Sequence, residues 1–271
     1  QQNEQSVSMT VNNLAQNKVR AIYKNISVDL RRYKELKMFL HAEPTMVGGV
    51  GDDELSAIIR LGTDLNDNFY QLEIPLKISP NGSLAPLDVW PEANNLEAML
   101  EVLGKTKLAR DVANAPINDL FTAPGGNPGE LVIRVKGNPT LTQIRTIMLG
   151  VRNNSPTDKS AEIWFNELRS AGFDNDGGWA AVVSADANFA DVANVSMTGR
   201  MQTVGFGNVE DRVSQRSLDE TKQYDVSTSI NLGKMMPKSW GIELPMNYSV
   251  GETFIDPKFD PQYQDVELAE V

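Results

Sequence analysis

Cysteine is absent from this chain of 271 residues, and histidine occurs once, at His41. Without cysteine there is no disulfide framework, no thiolate metal site and no cysteine nucleophile. A zinc site or a catalytic triad would need further ligands or partners, and the chain has no second histidine and no cysteine to supply them. We therefore interpret His41 as a polar residue at the end of a strand. Nothing in these residues supports nucleophilic catalysis, and we assign no catalytic, cofactor-binding or metal-binding residues.

Basic residues and long apolar runs are also scarce. Lysine and arginine total 25 against 36 aspartate and glutamate residues, for a net charge of −11, so a nucleic-acid partner is not expected. No run of about 18 apolar residues occurs, which excludes transmembrane helices but leaves transmembrane β-strands open, because their signal is about ten alternating residues. The opening residues QQNEQS do not form a signal peptide, and we expect a processed chain or an internal fragment.

Two acidic clusters suggest calcium binding at first sight, and both fail the pattern. Asp52, Asp53 and Glu54 follow the glycine-rich stretch 48–51, but calcium needs six or more spaced oxygen ligands, so we expect a solvated loop. The run 174–177, DNDG, begins like a calcium loop, yet its twelfth position is Ala185 instead of glutamate. A turn between two sheets is the better interpretation, with positive φ at the glycines 177 and 178.

Glycine-rich segments and carboxylates give no further site. The segment GFG at 205–207 lacks the third glycine and the following helix of a dinucleotide site, and PGG at 124–126 lacks the Lys-Ser or Lys-Thr of a P-loop. Paired carboxylates of a glycosidase cannot be recognised from sequence, and no pair stands out. An envelope hydrolase is therefore the weakest of our functional hypotheses.

The residues before about 170 predict an antiparallel β-sandwich with seven short strands, because β-branched and aromatic runs alternate with Gly, Pro, Asn and Asp. The predicted strands span 19–26, 36–41, 55–61, 69–78, 131–135, 144–151 and 161–168. Two of them alternate cleanly, which gives each one buried and one solvated face. A helical insertion at about 92–113 is predicted from apolar residues at helical spacing, which would pack through an apolar stripe.

The pattern changes after Gly178, where long strands alternate regularly up to about Val250. Two hairpins with short connections at 190–194 and 235–240, separated by a longer charged loop at 208–222, are typical of outer-membrane barrel strands. A soluble β-meander produces the same period of two, so the residues alone leave both interpretations open. The remaining residues, 251–271, predict an extended acidic tail.

Four aromatic residues, Trp90, Trp164, Phe165 and Trp179, would form a sugar-stacking platform if they were exposed on one sheet face. Trp164 and Phe165 are adjacent and point to opposite faces, so at most one of them lies in the core. Packing is the preferred role for most of them. The alternative function, a carbohydrate-binding β-sandwich of a cell-surface protein, requires an exposed aromatic row over a concave sheet.

Four longer segments, at 17–43, 56–78, 162–181 and 204–216, carry a specific resemblance. They are similar to the SprA/Sov family of very large outer-membrane proteins of Bacteroidetes, the translocon of the type IX secretion system, which is also linked to gliding motility. The resemblance covers residues 7 to 263. It implies an all-β chain closed into a wide transmembrane β-barrel, with soluble segments inserted between the strands.

The resemblance also implies a domain organisation and a function. Residues 7–171 would form a jelly-roll-like, galactose-binding-like sandwich, 172–178 a hinge turn, 179–250 two barrel-type hairpins and 251–271 the extended acidic tail. The implied function is a non-enzymatic part of an outer-membrane protein-export channel, located in the outer membrane at the cell surface. Its implied partners are secreted substrate proteins, accessory lipoprotein-barrel and plug proteins of the translocon, and outer-membrane lipid.

Overall fold

The computed structural model describes residues 6–45, 49–80, 82, 85–124 and 130–268. The chain is all-β with antiparallel sheets and short helices, as the sequence predicts. Predictions that rest on the first five residues, on Gly48, or on the glycines 125 and 126 lie outside the described residues. None of the helices in the described part of the chain is long and apolar enough to cross a bilayer.

The chain divides into two compact units. The first comprises Gln1–Asp174 together with Gln262–Val266, and the second comprises Asn175–Pro261 together with Glu267–Val271. The chain thus leaves the first unit after Asp174 and returns to it for the five residues 262–266.

Two antiparallel sheets build the first unit. Its strands are β1 (Val7–Leu14), β2 (Val19–Val28), β3 (Glu35–Pro44), β4 (Leu55–Gly62), β5 (Phe69–Pro75), β6 (Leu96–Met99), β7 (Phe121–Thr122), β8 (Val132–Lys136), β9 (Ile144–Asn153) and β10 (Lys159–Ala171). Sheet A has the order β1-β10-β3-β6, and sheet B has the order β2-β9-β4-β5-β8-β7. All seven predicted strands are present, and β1, β6 and β7 are additional.

Side chains from both sheets form one hydrophobic core. Leu40 of sheet A and Leu72 and Ile59 of sheet B, which pair across β4 and β5, are fully buried and belong to the same cluster. Fully burying an aliphatic side chain of this size stabilises a fold by about 1.5–3 kcal/mol. The alternation of buried and half-buried residues in β3 follows directly from this packing.

The helical insertion differs from the prediction in its first half. Residues Leu96–Met99 form strand β6, in which Leu96 and Ala98 point into the core and pair with Met38 and Leu36 of β3. A 3₁₀ turn, Glu92–Asn94, precedes this strand. Leu96 and Leu100, four residues apart, fit a helix, whereas Leu96 and Ala98, two apart, fit a strand, so this short run is ambiguous in sequence. Helix α1 (Pro86–Val89) is one turn long, and α2 (Leu100–Val112) begins only after β6.

The buried face of α2 is apolar in its first turn, where Leu100 and Leu103 of the predicted stripe lie in the core, and polar further along the helix. Lys107 and Arg110 are each 1% exposed. The Lys107 ammonium donates to the Asp265 carboxylate at 2.7 Å and to the Pro139 carbonyl at 3.0 Å. The Asp265 carboxylate also accepts the hydroxyl of Tyr70. Burial, and then the Asp265 charge, hold the pKa of Tyr70 well above its usual value.

The segment Gln262–Val266 is therefore a part of the first unit. Val266 is 2% exposed, and Asp265 is 6% exposed. Gly104 of α2 leaves room for this segment, because a Cβ there would lie 2.9 Å from the Asp265 carbonyl and 3.0 Å from a Val266 methyl. This packing overturns the predicted extended tail. Asp265, one of the acidic residues on which that prediction rested, and its neighbour Val266 are buried.

The second unit is a single antiparallel sheet. Its strands are β11 (Ala180–Phe189), β12 (Ala193–Gln202), β13 (Asp219–Asn231) and β14 (Pro245–Pro257), which lie side by side in chain order as sheet C. The first connection, 190–192, is short as predicted, and Ala190 has a left-handed φ of 49°. The connection at 203–218 is longer, also as predicted.

The second hairpin connection is longer than predicted. It spans 232–244, contains the 3₁₀ turns Leu232–Met235 and Lys238–Trp240, and is closed by a hydrogen bond from the Leu232 amide to the Leu244 carbonyl. Alternating residues before Pro245 had suggested that the strand starts earlier. Strand β14 also continues to Pro257, so residues 251–257 are sheet instead of tail.

Replacing Asp265 by alanine tests the buried ion pair. It leaves the ammonium of Lys107 buried with only a carbonyl partner, and removing one member of a buried pair costs about 3–5 kcal/mol. We expect this loss in chemical unfolding followed by tryptophan fluorescence. The control is Glu267→Ala, which breaks the exposed 3.2 Å pair with Lys258 and should cost at most about 1 kcal/mol. Equal effects of the two variants would contradict this role of Asp265.

A chain shortened to residues 7–171 tests whether the predicted domain is complete. It lacks the segment Gln262–Val266, so we expect it to be less stable than the whole chain by an amount similar to the loss in the Asp265 variant. Adding Lys107→Met to the short chain should recover stability, because no charge is then buried without its partner. A short chain as stable as the whole chain would show that the returning segment is dispensable.

Candidate functional site

His41 lies on the outer face of sheet A, opposite Trp164 in the pairing of β3 with β10. Strand β3 continues to Pro44, so the residue lies within the strand and not at its end. It is only 4% exposed, because the rings of Trp90 and Trp164 pack against it with centroid distances of 6.0 and 4.3 Å. The lone histidine is thus enclosed by aromatic rings.

His41 is held by hydrogen bonds at one ring nitrogen, while its Nε2 has none among the described residues. Its Nδ1 lies 2.6 Å from the carbonyl of Val89 and 3.0 Å from the hydroxyl of Ser79. Its Nε2 lies 3.5 Å from the carboxylate of Glu43. The imidazole therefore links sheet A to helix α1 and the segment before it.

The indole of Trp164 is also held in place by hydrogen bonding. Its Nε1 donates to the Glu162 carboxylate at 2.8 Å, and the Ser8 hydroxyl donates to the same oxygen at 2.6 Å. The bond from Ser8, then that from Trp164 and the nearby His41, lower the pKa of the Glu162 carboxyl. Phe165, on the opposite face, is 3% exposed in the core, as the alternation requires.

A groove of 380 Å³ lies beside these rings, with side chains of Phe39, Trp90, Asn95 and Glu167 in its lining. The rings do not make a flat platform. Trp90 meets Phe39 at 62° and Trp164 at 59°. In the described part of the first unit, this cluster does not supply the exposed aromatic row that the carbohydrate-binding hypothesis requires.

The acidic run at 52–54 is bound within the first unit. The Asp52 carboxylate accepts a hydrogen bond from the Ile78 amide at 2.9 Å. The Lys77 ammonium lies 2.6 Å from the Asp53 carboxylate, and the Lys159 ammonium lies 2.6 Å from the Glu54 carboxylate. The Lys159 bond, followed by the Gly51 amide, lowers the pKa of Glu54. Among the residues described, no three His, Asp or Glu side chains come together as a metal site requires.

Backbone contacts between glycines organise the start of the second unit. A Cβ on Gly178 would lie 2.3 Å from the Phe206 nitrogen, and one on Gly205 would lie 2.4 Å from the Asp176 carbonyl. Gly205 has a φ of 83°. The segment GFG at 205–207 is therefore a packing element that receives the chain before β11.

The turn predicted at 177–178 has a different physical basis from the one expected. Gly177 and Gly178 do not have positive φ; the left-handed glycine of this stretch is Gly172, with φ 67°, which belongs to the first unit. Gly178 is required because backbone approaches it closely. The Trp179 amide then donates to the Thr203 hydroxyl at 2.9 Å, and β11 begins.

Sheet C has one apolar and one polar face. Register aligns apolar side chains in rows across all four strands. One such row contains Phe189, Ala193, Ile230 and Met246. A second row contains Ala185, Met197, Val226 and Val250. Among the described residues of the second unit, none covers this face: Val183, Phe189 and Tyr248, which lie on it, are 69%, 58% and 59% exposed. An apolar face of this extent is exceptional on a protein surrounded by water.

The opposite face of sheet C carries hydroxyl and amide groups. One central row contains Asp186, Ser196, Ser227 and Ser249. The next row contains Asn188, Asn194, Ser229 and Asn247. A groove of 590 Å³ runs over these rows, and the Asn188 amide donates to Asn194 at 2.7 Å within it. The polar face is therefore the concave one. Val182 and Ile255 interrupt it near one end.

A comparison with known protein families decides the relationship. The family model SprA_N, described as a motility related/secretion protein, matches residues 1–271. The chain belongs to this family. The resemblance seen in the sequence is thereby confirmed, and the chain is a motility- or secretion-related protein. No curated protein matches it.

Sequence reasoning found part of the polar face and missed the rest. The alternation in 180–202 predicts that Ser184, Asp186 and Asn188 lie on one side of β11. The hydroxyl row of Ser227 and Ser229 in β13 was overlooked, although the apolar residues Val226 and Ile230 alternate with it. A count of serine and asparagine at every second position would have found it.

Replacing Gly178 by alanine tests the backbone contact at 178. Because a Cβ there overlaps the Phe206 nitrogen and the Val204 carbonyl, we expect the second unit to unfold at lower denaturant and to be cleaved faster by protease near residue 178. The matched control is Gly177→Ala, whose Cβ would meet nothing within 4 Å. If both variants behave alike, close packing does not explain the need for glycine.

Proposed function

We propose that this chain is a non-enzymatic part of an outer-membrane protein-export channel, the translocon of the type IX secretion system linked to gliding motility. Sheet C is then a section of the channel wall, and the first unit is a domain joined to it. The observation that carries the proposal is the division of sheet C into an exposed apolar face and a concave polar face. Membrane barrels alternate in this way, with lipid outside and water inside.

Strand length supports a wall that crosses a membrane. Strands β11 and β12 have 10 residues each, and β13 and β14 have 13. A tilted transmembrane strand needs about 9–11 residues. Each strand of sheet C is thus long enough for the hydrocarbon layer, and the two longer ones extend beyond it.

The edges of sheet C require further strands. Within the described residues, β11 pairs only with β12, and β14 pairs only with β13. Unpaired backbone groups at such an edge cost several kcal/mol each in lipid, so a wall segment must continue into neighbouring strands. Four strands therefore form one section of a much larger closed barrel.

The chemistry of the concave face suits the passage of proteins. Serine, threonine and asparagine dominate it, and they hold water without presenting a strong charge or an apolar patch to a passing chain. The charged exceptions include Asp186, Asp225 and Arg200. We propose secreted proteins as the substrates of this lumen, with accessory lipoprotein-barrel and plug proteins as partners and outer-membrane lipid against the apolar face.

The first unit is proposed to be a jelly-roll-like domain of the galactose-binding type. The support for this is its two antiparallel sheets around one core, with β1 paired to β10, the first strand to the last. The polar clusters of its described residues, such as those of Glu54 and Glu162, make structural contacts within the unit. We propose that the domain acts through its attachment to the wall, without a cofactor.

Single cysteines introduced into a chain that has none test which face meets lipid. We choose neighbours on opposite faces of sheet C: Val226→Cys with Ser227→Cys, and Tyr248→Cys with Asn247→Cys. In membranes from cells that produce the protein, a water-soluble maleimide should label the Ser227 and Asn247 positions at least tenfold faster. The Val226 and Tyr248 positions should react only after detergent is added. Equal labelling within both pairs would overturn the proposed wall.

A further inference from the structure

The groove beside Trp90 lies on the outer face of sheet A and is lined by three segments of the chain. Phe39 of β3 and Trp90 form its aromatic wall, with their ring centroids 6.4 Å apart. Leu87 adds an aliphatic side chain that is 69% exposed. The groove's 380 Å³ is at the small end of ligand pockets, which span about 300–1,000 Å³. It is therefore sized for one long side chain.

A β-bulge in β10 directs two consecutive side chains into this groove. Asn166 pairs with Phe39, and the next pair is Arg169 with Lys37, so three steps along β10 match two along β3. Neighbours in a regular strand point to opposite faces, yet Asn166 and Glu167 both line the groove. Bulges commonly re-aim a side chain in this way.

Glu167 occupies the bulge at a conformational cost. Its φ is 50°, in the left-handed region that glycine adopts without strain. Strained residues of this kind concentrate at functional sites. A glutamate where glycine would fit the backbone better indicates that the side chain itself is used.

The polar lining of the groove offers hydrogen-bond acceptors. The side-chain oxygen of Asn95 is buried, and no group of the described residues donates to it. A buried acceptor without a donor is destabilising, so a ligand that brings a donor gains at this point. Glu92 and Glu167 add two carboxylates to the lining. Hydrogen-bond donors and positive charge are the complement of this set.

An arginine of the chain itself already lies against part of the lining. The Arg169 guanidinium is 5.3 Å from the centroid of the Phe39 ring and donates to the Glu167 carboxylate at 2.7 Å. An aromatic face beside a carboxylate suits a planar guanidinium. Trp90 and Glu92, from another segment of the lining, offer the same two kinds of group.

The face around the groove is acidic. On the strands of this face, glutamates outnumber the basic residues Lys37 and Arg169. These glutamates are Glu35, Glu43, Glu97, Glu162 and Glu167. Electrostatic complementarity therefore favours a cationic occupant and works against an anionic one.

We propose that this groove binds an arginine side chain of a partner polypeptide. The guanidinium stacks on Trp90 and donates to the Asn95 oxygen and the Glu92 carboxylate, while its apolar stem lies along Leu87. Arginine suits the groove better than lysine, because its planar fork can donate to two acceptors while it stacks on a ring. The inference goes beyond the proposed function, since it concerns the first unit alone and holds whether or not sheet C is a channel wall.

The test uses the whole chain labelled with 5-fluorotryptophan, whose four tryptophans are assigned by Trp→Phe variants. The probe is the peptide acetyl-Gly-Gly-Arg-Gly-Gly-amide. We expect it to shift the Trp90 fluorine signal in a saturable way, with the signals of Trp179 and Trp240 in the second unit unchanged. A peptide with uncharged citrulline in place of arginine should bind at least tenfold more weakly. Equal binding of the two peptides, or no shift at Trp90, would contradict the proposal.

Replacing Glu167 by glycine separates binding from folding. Glycine relieves the left-handed backbone, so the midpoint of chemical unfolding should be unchanged or higher. Loss of the carboxylate leaves the Arg169 charge unopposed beside the groove, so the arginine peptide should bind at least fivefold more weakly. The matched control is Ala190→Gly, at a left-handed residue of the second unit with φ 49°, which should leave binding unchanged. Unaltered binding by the Glu167→Gly chain would count against the site.

Two substitutions test the other polar contacts. Glu92→Gln and Asn95→Leu should each weaken binding of the arginine peptide about fivefold or more, because each removes an acceptor for the guanidinium. Glu101→Gln, which removes an exposed carboxylate of α2 that pairs with Lys105, is the matched control and should bind as the original chain does. Equal weakening by all three variants would show a general effect of charge and overturn the proposal. Self-association of the chain that Glu92→Gln abolishes would also overturn it, since the groove would then belong to a second copy.

Discussion

The buried contact of Lys107 with Asp265 is the interaction on which the first unit depends most. An ammonium on α2 and a carboxylate from the far end of the chain meet at 2.7 Å with side chains at most 2% exposed. Neither group is tolerable there alone, because an unpaired buried charge is strongly destabilising. The ion pair, together with the Tyr70 hydroxyl bound to Asp265, therefore requires residues 262–266 to pack in the first unit.

A second constraint acts on sheet C. Its hydrogen-bonded register is regular over all four strands, so each side chain is committed to one of two faces. The apolar face is uncovered within its unit, and the polar face is curved inward. Physical chemistry leaves two ways to cover such a face, lipid or another protein surface. Our proposal assigns lipid to this face, and the family to which the chain belongs has a motility or secretion role.

Much of this fold could be predicted from local patterns. Strands such as β4 and β5 combine β-branched residues with clear punctuation, and the alternation in β11 and β12 identified both faces. Strand β1 was missed because polar residues fill its exposed side and it needs β10 to bury Met9. Strand β6 was mistaken for helix because four residues fit both periods. Lys107 and Asp265 could not be paired in advance, because nothing local indicates that distant charges will be buried together.

The return of the chain to the first unit also sets an order of events. A polypeptide made or threaded from its amino end delivers β1 to β10 first, then all of sheet C, and only then Asp265 and Val266. Until Asp265 and Val266 have been made, the Lys107 ammonium has no carboxylate partner from this segment, and the space that Gly104 leaves for it is unfilled. The first unit therefore reaches its full stability only after the strands of sheet C have been delivered.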